Sequence, residues 1–135
     1  MIFVDTSAWL AISDVRDGNH VSARGQHTEL LRGGAGRLIT SDYVLDETFT
    51  LLRKRIGGEL VRSFARSLEE SRSVQQVWVN PAHFREARTL FLDQGDRAWS
   101  FTDCTSFVLM RELGIPVAFT FDRDFERAGF ETRPE

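Results

Sequence analysis

Apolar and polar positions in this chain fall into two alternating rhythms. Short apolar runs at residues 1–4, 37–40 (RLIT), 74–79 and 116–121 predict strands. Between them, apolar residues recur at helical spacing over 7–12, 19–32, 43–55, 59–71, 81–94 and 102–113. A short helical segment at 125–128 and an edge strand at 130–133 complete the pattern. The breaks are chemically marked: VRDGN turns the chain, GGAG stops the second helix, Gly57 and Gly58 split two helices, and Gly114 ends the last long one. Asn80 followed by Pro81 supplies a cap and a first helical residue, and Ser41 or Asp42 can cap the helix before Arg55. Strands alternating with helices predict a mainly parallel sheet of four to five strands between helical layers, an α/β/α sandwich. No repeat or linker interrupts it, so residues 1–135 are expected to form a single domain.

The same pattern isolates four carboxylates. Asp5 ends the run IFVD and Asp122 closes VAFTFD. Glu47 shares a helical stripe with Val44, Thr48, Leu51 and Leu52, whereas Asp46 is turned about 100° away. Asp103 shares a face with Phe107 and Met110. An ionised carboxylate among apolar groups is costly unless paired, hydrogen-bonded or metal-bound. No Lys or Arg lies within three residues of Asp5, Glu47 or Asp103, although Arg123 follows Asp122. Open α/β sheets bind ligands beyond the carboxyl ends of their strands, where Asp5 and Asp122 belong. A divalent cation would satisfy several such acids at once.

Each acid also has a purely structural reading. Asp5 can cap the helix after it, and Glu47 can sit at the wet edge of its stripe. Ser100 and Asp103 form an S-x-x-D capping box. Asp122 and Asp124 can shape the turn after a strand. What those readings leave unexplained is that all the acids fall at one end of the inferred sheet.

Composition narrows the alternatives. A net charge of −3 does not advertise nucleic-acid binding. Lys54 is the only lysine, an arginine skew that codon usage explains as well as phosphate recognition does. One cysteine, Cys104, excludes an internal disulfide and a cysteine metal cluster, and is expected to pack as a small buried residue in a reducing cytoplasm. No leader or membrane-spanning run is read in the sequence. His20, His27 and His83 lack ligand spacing and pair with no nucleophile motif, which leaves surface or capping roles. Trp9, Trp78 and Trp99 are expected in the core or an interface, and Arg53, Lys54 and Arg55 at a solvated helix end.

Four segments in order resemble PIN-domain proteins, and more closely the VapC-type toxins of toxin–antitoxin pairs: IFVDTSAWL, SDYVLDETFTLLRKR, WSFTDCTSFVLMRELGI and VAFTFDRDFERAGF. Carried over by position, the resemblance implies pocket acids Asp5, Glu47, Asp103 and Asp122, with Asp5, Asp103 and Asp122 at the metal. It places Asp124 at a variable position and Thr6 and Thr120 at supporting hydroxyls. It further implies Mg²⁺- or Mn²⁺-dependent hydrolysis of RNA, a cognate antitoxin and a homodimer. Other folds that open on a strand and an aspartate fit less well. A haloacid-type phosphatase needs an acid where Ser7 stands, a D-x-S-x-S adhesion site is broken by Trp9, and a binding module without catalysis has no use for the acids.

Overall fold

Strands of only three or four residues carry the centre of the molecule, which is why nearly every residue in the inner ones is apolar. The computed structural model describes residues 1–34 and 36–135. In chain order it comprises β1 (Ile2–Val4), α1 (Thr6–Ser13), α2 (His20–Arg32), β2 (Leu38–Ser41), α3 (Asp42–Ile56), α4 (Gly58–Glu70), β3 (Val74–Val77), α5 (Pro81–Leu92), α6 (Phe101–Leu113), β4 (Val117–Phe119), α7 (Asp124–Arg127) and β5 (Glu131–Arg133). Of the GGAG stop, Ala35 lies outside the described residues, and Gly33 is the C-cap of α2.

The strands pair in the order β3-β2-β1-β4-β5, parallel throughout. The chain builds outward from β1 through β2 to β3, then returns to add β4 and β5 on the other side. Right-handed crossovers accordingly place α1–α4 on one face and α5–α7 on the other. The order reverses between β1 and β4, the topological switch point where sheets of this kind open a crevice. Val4 lies opposite Phe119, so Asp5 emerges beside Thr120.

β1 and β2 are wholly buried. Phe3 and Phe119 from the sheet, Phe107 and Met110 from α6, and Val44 and Leu52 from α3 fill the core. Each buried ring or aliphatic chain contributes roughly 1.5–3 kcal/mol of transfer free energy. Trp9 and Trp99 join this core and Cys104 is fully buried, but Trp78 is 71% exposed. Gly114 ends α6 in the left-handed conformation (φ +67°), as its position predicted. Among the described residues, no helix is long and apolar enough to cross a membrane.

Two strands are shorter than their apolar patterns. β3 stops at Val77 because the Val79 N–H goes to Asp42 Oδ1 (2.8 Å) instead of extending the ladder. β4 stops at Phe119, and the N–H groups of Phe121 and Asp122 turn to the hydroxyls of Ser7 and Thr120. That early exit shapes the site.

Candidate active site

Asp5 leaves β1 and caps α1, with its side chain buried at 4% exposure. Its Oδ2 accepts from Ser7 Oγ (2.9 Å) and Thr120 Oγ1 (3.0 Å), with Ser7 N more distant at 3.4 Å. Ser7 Oγ in turn accepts from Phe121 N (2.9 Å), and Thr120 Oγ1 from Asp122 N (3.0 Å). Each hydroxyl has a single proton, so both protons are directed at the carboxylate. The 3.1 Å approach of the two hydroxyl oxygens is then a packing contact. Burial raises the Asp5 pKa from 3.8 to about 6, with a smaller push from the Asp122 charge. The bonds from Ser7, Thr120 and the Thr6 backbone pull the other way.

Asp103 performs the capping role expected of S-x-x-D. Ser100 Oγ accepts from Asp103 N, and Asp103 Oδ2 accepts from Ser100 N, both at 3.0 Å. The residue also belongs to a cluster of acids. Carboxylate oxygens of Asp103, Asp122 and Asp124 lie within 4.8 Å of one another. Desolvation lifts the Asp103 pKa to about 7, and the charges of Asp5 and Asp122 add to the rise against the Ser100 bonds. The capping and cluster roles are thus compatible, since one oxygen faces the helix start.

The turn after β4 supplies the other two acids. Asp122 Oδ1 accepts from Asp124 N (2.9 Å), so Asp122 rather than Asp124 ties off the start of α7. Asp124 Oδ1 pairs with Arg127 Nη1 at 3.0 Å. Among the described ion pairs, this is the one that reaches the cluster.

Glu47 is half-buried on α3, beside fully buried Val44 and Thr48, and Asp46 is exposed as its phase predicted. Among the described residues, Glu47 shares no hydrogen bond or ion pair with the other acids. Its helix packs against α1, which follows Asp5, and α6, which carries Asp103. Thr6 is buried and donates to Val44 O at 3.5 Å, so it ties α1 to the glutamate's helix rather than to Asp5. The hydroxyl that meets Asp5 from α1 belongs to Ser7. Sequence reasoning passed over Ser7; its place two residues after an N-cap aspartate, where a side chain turns back to the cap, is the signal available.

The remaining candidates resolve into structural roles. His83 completes a capping box with Asn80 and faces Glu112 Oε2 at 2.5 Å, and His20 Nδ1 meets Ala11 O at 2.7 Å. A surface groove beside α1, about 700 Å³ and lined by Trp9, Val21, Leu60 and Phe64, has none of the site acids on its wall.

An all-carboxylate set of half-buried oxygens, free of sulfur and imidazole, suits a hard divalent cation that keeps part of its water. Comparison with known proteins agrees with that chemistry. The model of the PIN domain family matches residues 2–131. A 23S rRNA-specific endonuclease, VapC20 of Mycobacterium tuberculosis, is 38% identical over 136 aligned positions that span all of both chains. A VapC ribonuclease of Archaeoglobus fulgidus is 25% identical over 124 residues, covering 90% of this chain and 77% of its own. The crystal structure of the Mycobacterium tuberculosis VapC20, described as a sarcin–ricin loop cleaving toxin, superposes with a TM-score of 0.86 at 35% identity over 96% of each chain. Nucleases with a PIN domain generally use divalent metal ions. The chain belongs to the PIN-domain family, among its VapC ribonucleases.

Proposed function

We propose that this VapC-type endoribonuclease hydrolyses RNA through Mg²⁺ or Mn²⁺ held by Asp103, Asp122 and Asp5, with Asp124 as a further oxygen donor. The observation that carries the reading is the convergence of Asp103, Asp122 and Asp124 oxygens within 4.8 Å, beside Asp5, at the switch point. When bound, the cation supplies a water of lowered pKa and neutralises charge on the phosphate. The chain's own residues do the rest. Ser7 and Thr120 both donate to Asp5 Oδ2 and fix that carboxylate at the end of β1. Asp103 is held by Ser100 and Asp122 by the turn it closes. Glu47 stands apart from the trio, which suits it to orient the attacking water.

The relative's named substrate gives the first target to try, 23S rRNA, because the likeness to it extends over the whole chain. The toxin reading brings a cytoplasmic setting, a homodimer and an antitoxin that blocks the crevice with a basic side chain in place of the cation's charge. Mapping new RNA ends in cells expressing this chain, with Asp5→Asn as control, tests the proposal. Discrete cuts in 23S rRNA that vanish with Asp5→Asn are expected. An unchanged RNA profile from a folded, expressed protein would overturn it.

A further inference from the structure

We infer that Ser7 is a positioning residue for the metal site, one that holds the acids of the β4–α7 turn against Asp5. The inference rests on the metal-dependent reading above. It starts from a single hydroxyl that joins residues more than a hundred positions apart in the chain: Ser7 Oγ donates to Asp5 Oδ2 at 2.9 Å and accepts from Phe121 N at 2.9 Å. Thr120 makes the parallel pair of bonds, to Asp5 Oδ2 and from Asp122 N, each 3.0 Å. Asp122 Oδ1 then accepts from Asp124 N at 2.9 Å. The turn that presents Asp122 and Asp124 is therefore built outward from two hydroxyls that share one oxygen of Asp5.

The two hydroxyls are not equivalent. Thr120 lies within the turn and moves with it. Ser7 lies on α1 and fixes the turn to the other side of the crevice. Without its hydroxyl, Phe121 N–H loses its acceptor and Asp5 Oδ2 keeps one hydroxyl donor in place of two, beside the more distant Ser7 N–H. Asp122 and Asp124 then gain freedom relative to Asp5 and Asp103, and a cation that needs oxygens from both sides binds more weakly. Thr6, the neighbouring hydroxyl, cannot substitute, because its proton goes to Val44 O on α3.

The test is Mn²⁺ binding by the intact chain, read from the electron paramagnetic resonance of free Mn²⁺, which needs no RNA and no turnover. Ser7→Ala is expected to weaken binding at least about tenfold, the loss of one geometric constraint on a ligand set. Asn80→Ala, which removes the cap of α5 and touches none of the acids, serves as the control for general loosening. It is expected to lower the melting temperature while leaving Mn²⁺ binding within about twofold. If Ser7→Ala does not fold, Ser7→Cys, with the same shape and a weak donor, carries the same expectation. Binding by the Ser7 variant within twofold of wild type would overturn the inference, as would an equal loss in Asn80→Ala. Absence of Mn²⁺ binding by the wild-type chain would overturn the metal reading, and this inference with it.

Discussion

Replacing Asp103 by Asn separates the cost of a charge from the value of a cap. Asn keeps an oxygen to accept Ser100 N–H, now 3.0 Å from Asp103 Oδ2, but carries no charge to oppose Asp5 and Asp122. A carboxyl held near 7 rather than 3.8 corresponds to about 4 kcal/mol against its ionised form. Asp103 is half-buried and shares this repulsion with its neighbours, so solvent screening brings the figure to about 2 kcal/mol. The lost negative charge at a helix N-terminus takes back about 0.5–1 kcal/mol. The metal-free variant should then be more stable by about 1 kcal/mol at pH 8, roughly 3–4 °C in melting temperature for a chain of this size. The sign with pH is fixed by the raised pKa. The folded wild type binds protons that the unfolded chain releases, so its stability is full below about 3.8 and falls as pH rises through about 7. Thermal melts in EDTA should therefore show the variant's advantage shrinking towards about pH 4, while RNA cleavage with metal is abolished at every pH. A variant less stable than wild type at pH 8 that still cleaves RNA would refute the reasoning and leave Asp103 a capping residue only.

The other expectations follow from the same geometry. Asp122→Asn should lower the single-turnover cleavage rate at least tenfold, the loss of an interaction worth more than about 1.4 kcal/mol. Asp124→Asn should cost less, because Arg127 at 3.0 Å already offsets that charge; the reverse ranking would show that the two acids have been assigned the wrong weights. Mg²⁺ should raise the melting temperature at about pH 8 and progressively less below 7, since protons compete for Asp103 near 7 and Asp5 near 6. A metal-induced rise that is constant from about pH 8 to pH 5 would contradict that coupling.

Most of this architecture was legible in the chain because its signals are local and redundant. Asn80-Pro81, Gly57-Gly58 and Gly114 mark helix ends through local capping and backbone chemistry, and each stands where predicted. The apolar runs of β1 and β2 are buried on both faces, so nothing competes with their reading. β3 and β4 were overestimated because a side chain from elsewhere takes the next backbone donor: Asp42 for Val79, Ser7 for Phe121. The strand-end acids were visible for the same reason as the strands. The part played by Ser7 was not, because it depends on Phe121 and Thr120 lying beside it across the switch point, and no local pattern records that. Nor does local sequence reveal that Asp124 approaches Asp103 and Asp122.

The most direct test of the account is cleavage of 23S rRNA by the purified chain with Mg²⁺ or Mn²⁺, with excess EDTA, and with EDTA followed by restored metal. Asp5→Asn protein prepared identically controls for contaminating nuclease. Cleavage that requires metal, stops with the chelator, returns on replenishment and is absent from Asp5→Asn is the predicted result. Full-rate cleavage in EDTA, by wild type but not by Asp5→Asn, would contradict it.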